Sequence, residues 1–162
     1  EVPGPVGSGH HHIAPYRAFK AKDGYFIVAA FTQIFWLKFA DAIGMPQLKD
    51  DSRFADITAR KHNMDALYEI VEPLFSDKTV TEWLEIFATN DVPSAPVNTV
   101  GEALECDQAQ AREIVFDYEH SLAGKVRTVG TPFRNDGRVC RSERPPPLLG
   151  EHTDEVLSTL DK

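Results

Sequence analysis

Three consecutive prolines, Pro145, Pro146 and Pro147, limit this chain more than any other stretch. Each fixes φ at about −65° and has no amide hydrogen, so the segment cannot lie inside a sheet or helix and reads as an extended polyproline strut. Beyond it the sequence predicts a short helix. Thr153 can cap the amide of Val156, Asp154 and Glu155 fall in the positive first turn, and Val156, Leu157 and Leu160 share one apolar face. So short a helix is not stable alone in water and needs a body to pack on. Pattern alone predicts that it folds back onto its own domain, as most ordered terminal helices do.

That body reads as one α+β domain with an arm at each end. At 162 residues and 42% apolar content the chain can bury a single core. Residues 1–15 are rich in glycine and proline and read as a linker. His10, His11 and His12 within it are too few for a tag remnant and lack converging ligands for a metal, so a linker without metal is expected. Residues 16–30 read as a hairpin turned at Asp23-Gly24, where both residues tolerate positive φ, with the run Tyr25 to Ala30 buried on both faces.

A helix follows Phe31-Thr32-Gln33, with Ile34, Phe35, Leu37, Phe39, Ala42 and Ile43 apolar and Gly44 as its stop. After Phe54 a second helical stretch carries Leu67, Ile70, Val71, Leu74 and Phe75 at core spacing, with Arg60, Lys61 and His62 on a solvated face and a kink or late start at Pro73. Thr79 to Glu82 matches a capping box ahead of Trp83, Leu84, Phe87 and Ala88. Val92 to Val97 must be extended because of its prolines. Short helices are then expected from Asn98 or Thr99 and from a cap at Asp107, followed by a second hairpin from Ile114 to His120 and Lys125 to Val129. Hairpin, helices, hairpin is an α+β order with an antiparallel sheet; 16–134 is read as the small domain and 135–162 as a return linker and C-terminal helix.

A net charge of −8 and a pI of about 5.2 argue against nucleic acid or an anionic membrane as principal partner. No apolar run reaches the length of a membrane span, and Cys106 and Cys140 read as two free thiols of a cytoplasmic protein. No glycine-rich phosphate loop follows a strand, and neither an HExxH nor a GxSxG pattern occurs. The acidic residues fall on solvent faces and helix starts, so no catalytic or metal-binding set is legible from the residues themselves.

The succession Ile13-Ala14-Pro15-Tyr16-Arg17-Ala18-Phe19, Asp23 to Ala30, Asp51-Ser52-Arg53-Phe54, Arg60, Thr81-Glu82-Trp83, Val92 to Val97 and Pro147 to Thr153 resembles the C-terminal part of class III CoA-transferases, the CaiB/BaiF family. The resemblance implies a Rossmann-like large domain joined by two linkers to this small domain, in an interlocked homodimer. It also sends the tail to that large domain instead of its own. Acyl-CoA is the implied partner: coenzyme A enters as part of a thioester substrate, and no cofactor is implied. The aspartate that carries the acyl group as a mixed anhydride, and then CoA as an aspartyl thioester, belongs to the large domain. No catalytic residue is therefore expected here, and the chain reads as a fragment inactive on its own.

In such proteins the loop after the second strand, here Phe31, Thr32 and Gln33, approaches the substrate. The family's transferases often carry glycine there, and its racemases a glutamate. Phe31 closes backbone approach and Gln33 cannot act as a carboxylate, which weakens a racemase or carnitine-dehydratase reading without removing it. Taken as structure alone, Phe31 reads as a core aromatic, Gln33 as a polar helix-start residue and His152 as a fixture of the turn before the last helix. A stand-alone interaction module is the rival of another class.

Overall fold

The computed structural model describes residues 4–142 and 144–160; Glu1–Pro3, Glu143 and Asp161–Lys162, which the linker and tail expectations include, lie outside them. The chain is α+β and divides into two compact units, Glu1–Val97 and Asn98–Lys162.

In the first unit the expected hairpin forms, but neither Asp23 nor Gly24 takes the positive φ on which the Asp-Gly turn expectation rested. Strands β1 (Tyr16–Lys20) and β2 (Tyr25–Ala29) pair antiparallel, with Tyr16 opposite Ala29 and Lys20 opposite Tyr25. The Ala21 amide closes the turn onto the Gly24 carbonyl at 2.9 Å. The proline-bound stretch expected only to be extended supplies a third strand, β3 (Ser94–Pro96), which places Phe26 opposite Pro96. It lies at the margin of the order β1-β2-β3, where a residue without an amide hydrogen is tolerated. β2 is not buried on both faces. Phe26 and Val28 are buried while Tyr25 is exposed and Ile27 and Ala29 are half-buried, because a period of two sends alternate side chains away from the core.

Four helices complete this unit: α1 (Gln33–Ala42), α2 (Ile57–His62), α3 (Met64–Phe75) and α4 (Val80–Thr89). Gly44 ends α1 at a φ of 73°, where a side chain would be strained. The stretch after Phe54 arrives as two helices, broken at Asn63, whose side-chain amide donates to the Ala59 and Arg53 carbonyls at 2.9 and 3.2 Å. Pro73 lies inside α3. The Thr79 capping box is present: Thr79 Oγ1 accepts from the Glu82 amide and Glu82 Oε2 accepts from the Thr79 amide at 2.8 Å. Ala88, expected inside, is exposed.

Aromatic rings hold the core. Phe75 meets Phe19, Phe26 and Trp83 with ring centroids 4.9, 5.1 and 5.1 Å apart, the last two edge-on, an arrangement that aromatic quadrupoles favour. Trp83 Nε1 donates to the Phe75 carbonyl at 3.1 Å, so the one polar atom of that indole is satisfied.

The second unit is built of short pieces. Helices α5 (Val100–Glu105) and α6 (Asp107–Ala111) precede the antiparallel pair β4 (Val115–His120) and β5 (Gly124–Val129). Thr99 and Glu102 make a second capping box, whereas Asp107 is the first residue of α6 and Cys106 takes the cap position. Asp117 on β4 pairs with Lys125 and Arg127 on β5 at 2.9 and 3.1 Å. A further hairpin, β6 (Arg134–Asn135) with β7 (Arg138–Val139), turns at Asp136-Gly137, both at positive φ. The two expected hairpins lie in separate sheets.

The last helix, α7 (Thr153–Leu157), starts one residue earlier than expected, with His152 in the cap position but making no side-chain capping bond. Gly150 turns the chain at a φ of 80°, and the Glu151 carboxylate accepts from the Leu148 amide at 2.6 Å, so the helix is entered before Thr153. His152 Nδ1 faces Glu155 Oε2 at 3.1 Å. Val156, Leu157 and Leu160 are 57%, 54% and 74% exposed, so the described residues do not cover the apolar stripe.

Both tryptophans, Trp36 and Trp83, lie in the first unit, so indole fluorescence during urea unfolding reports on it. Phe75→Ala is expected to cost about 3–5 kcal/mol by this probe, and Thr79→Ala about 1 kcal/mol. Glu82 is held below the ordinary carboxylate value of 4.5, first by the Thr79 amide and then by its hydroxyl. With the folded value depressed, that contribution is complete above the unfolded value and fades as the pH falls through the folded one. Glu82→Gln should therefore flatten the loss of stability on acidification, and an unchanged acid limb would dismiss the cap as its source.

Candidate functional site

The loop singled out in the sequence leaves the sheet at Ala30, whose amide donates to the Pro15 carbonyl at 3.0 Å. Thr32 is extended and caps α1, its hydroxyl oxygen accepting from the Phe35 amide at 3.2 Å. Phe31 is not a core aromatic: it is 44% exposed and leans on Phe35 with ring centroids 5.0 Å apart. Ile34, 65% exposed, extends this apolar rim along the first turn of α1. Gln33 turns its amide to the protein. Its Nε2 donates to the Ala55 carbonyl at 2.8 Å and its Oε1 accepts from Arg60 at 3.0 Å. Of the three expected contact residues, Phe31 presents an apolar face, Thr32 serves the helix and Gln33 braces the loop.

The brace comes from a residue the sequence reading put on the surface. Arg60 is wholly buried, the one buried charged side chain among the described residues, while its neighbours Lys61 and His62 are exposed as expected. Its Nε donates to the Ala14 carbonyl at 3.0 Å and its Nη1 to the Phe54 carbonyl at 2.9 Å as well as to Gln33. The guanidinium lies over the Trp36 ring, 4.8 Å from its centroid. Burial pushes its pKa down to about 10, with the Asp56 carboxylate opposing, so it remains a cation at neutral pH. Nη2 and Trp36 Nε1 have no hydrogen-bond partner among the described residues. A signal was available: Arg60 continues backward the spacing of Met64, Leu67 and Val71, which is the buried stripe of the following helix.

The second unit carries an open cleft of about 600 Å³, lined by Phe116, Tyr118, Arg144, His152 and the proline strut. Among the described residues no group of His, Cys, Asp and Glu is placed to hold a metal ion. His10 stacks on Tyr16 at 5.4 Å, and its Nδ1 accepts from the His12 amide at 3.1 Å. No helix of the described residues is long and apolar enough to cross a membrane.

The chain belongs to CoA-transferase family III, whose model matches residues 1–153. It is 32% identical over 154 residues to the succinyl-CoA:glutarate CoA-transferase of Homo sapiens, covering 95% of this chain and 35% of that one. It is 33% identical over 125 residues to the formyl-CoA:oxalate CoA-transferase of Bradyrhizobium diazoefficiens, covering 77% of this chain and 29% of that enzyme. Among solved structures, a CaiB/BaiF family protein from Brucella suis superposes with a TM-score of 0.78 at 30% identity, over 99% of this chain and 41% of that one. A protein from Mycobacterium tuberculosis gives 0.77 at 27% identity, over 88% and 40%. The chain thus spans about a third of the length of the curated relatives it matches.

Rim and core should separate by mutation. Phe31→Ala is expected to change unfolding free energy by less than about 1 kcal/mol, whereas Trp36→Ala, at a fully buried site, should cost about 3–5 kcal/mol. Comparable losses would place Phe31 in the core after all.

Proposed function

We propose that this chain is the C-terminal, small-domain part of an acyl-CoA:carboxylate CoA-transferase, and that Phe31 and Thr32 stand at the wall of its acyl-CoA pocket. The observation that carries this is the braced loop. In a member of this family it keeps a phenyl ring exposed at a strand-to-helix junction, where a bare ring adds nothing to the core. The relatives' names supply the reaction class, exchange of coenzyme A between an acyl thioester and a small carboxylate such as glutarate or oxalate. The nucleophilic aspartate is then supplied by a large domain outside this chain.

The uncovered stripe of α7, borne beyond the proline strut, supports a tail that docks on that large domain. Residues 1–15 would be one linker and 135–162 the return linker with its docking C-terminal helix, and two full-length subunits would interlock as a homodimer. The racemase alternative is disfavoured because position 33 offers a carboxamide, already engaged with Arg60 and Ala55, where a carboxylate is needed.

CoA transfer measured on the full-length enzyme and on the 162-residue chain tests this. Turnover of a succinyl or formyl thioester with a dicarboxylate acceptor is expected from the former and none from the latter. Turnover by the chain alone would refute the placement of the nucleophile. A full-length enzyme that inverts the stereocentre beside the thioester carbonyl, without transferring CoA, would establish the racemase reading instead.

A further inference from the structure

The Phe31-Thr32 loop is tethered at both ends to one side chain. On the helix side, Arg60 Nη1 donates to Gln33 Oε1, and Gln33 Nε2 in turn donates to the Ala55 carbonyl, adjacent to the Phe54 carbonyl that Arg60 also holds. On the strand side, Arg60 Nε holds the Ala14 carbonyl, and the next residue, Pro15, accepts from the amide of Ala30. The two residues between Ala30 and Gln33 are therefore spanned by a closed path of hydrogen bonds running through the guanidinium. We propose that Arg60 is a positioning residue for acyl-CoA binding, fixing through Gln33 and Ala14-Pro15 where the Phe31 ring stands.

Arginine suits this task and lysine does not. The tether needs donors diverging in one plane toward separate acceptors while the group sits over the Trp36 ring; an ammonium is a point charge with no such plane. A cation buried without a carboxylate partner is also a poor device for stability, since a well-packed apolar side chain of similar volume usually serves a core at least as well. Its position beneath the loop gives it another use. Preorganised contacts act by holding a binding surface in its working geometry before the ligand arrives.

This inference rests on the transferase reading, and its test separates the two. In the full-length enzyme, Gln33→Leu removes the helix-side tether while leaving Arg60 bonded to Ala14 and Phe54; Arg60→Lys weakens both sides. We expect amide hydrogen exchange at residues 31–35 to quicken about tenfold in Gln33→Leu while the midpoint of indole-monitored unfolding stays put. The KM for the acyl thioester should rise about tenfold with kcat changed less than about threefold. Arg60→Lys should move the same readouts further. Unchanged exchange in Gln33→Leu would overturn the tether, and faster exchange with unchanged KM would overturn its role in substrate positioning. A wild-type enzyme without CoA transfer would sink the transferase reading, leaving the exchange result to decide the tether by itself.

Discussion

A guanidinium withdrawn from water must find acceptors or destabilise the fold, and that requirement organises the first unit. Arg60 draws the Ala14 carbonyl from before the first strand, the Phe54 carbonyl from before α2 and the Gln33 amide from the start of α1 onto a single group stacked on Trp36. Hydrogen bonds from a charged donor are roughly twice as strong as neutral ones, so three of them can offset much of the cost of burial. The result is a cross-link that ties the segment before α2 to the open end of the β1-β2 hairpin. Around it, the ring cluster centred on Phe75 supplies the dispersion and the apolar burial, and the Thr79 capping box sets where α4 begins.

The second unit relies on different means. Ala109 is the one buried apolar residue among its described residues, so it has little core to draw on. Its order comes from local polar contacts instead. His120 Nδ1 accepts from the Leu122 and Ala123 amides to set the β4-β5 turn, and Arg134 and Arg141 donate to the backbone carbonyls of Arg112 and Glu113. Gly130 packs so closely on Phe116 that an added Cβ would stand 3.0 Å from the ring and would require the ring to shift by a few tenths of an ångström. Contacts of this kind are cheap to open individually, and such units sit at the low-stability end of a fold.

Much of the first unit could be read from the chain because local signals agreed with one another. Asp23-Gly24 between two apolar runs, Thr79 with Glu82, and Gly44 after an apolar stripe each have one economical structural outcome. The third strand was hidden because Pro93 and Pro96 suppress the usual strand signature. Arg60 was hidden because charge was taken as a sign of solvent; its helical phase, in step with Leu67 and Val71, carried the contrary information. α7 starts one residue earlier than expected, following a turn in which Gly150 takes a positive φ and Glu151 accepts from the Leu148 amide. At the candidate site, the position of Phe31 is legible in the sequence but its exposure is not. Whether a ring at a strand-to-helix junction turns inward or outward depends on whether Phe35 or Trp36 takes the interior, and Trp36 does.

One consequence follows from how the three-stranded sheet ends on each side. Along β3, Pro96 offers no amide hydrogen at the outer edge, which leaves Ser94 as its one outward-facing amide, and along β1 the Ala18 amide is already donated to Ser8 Oγ while the Tyr16 carbonyl accepts from His10. Lateral recruitment of another chain's strand is thereby discouraged on both flanks. Backbone zipping along either edge has few free donors to use, which leaves the side-chain surfaces as the more accessible face of this unit.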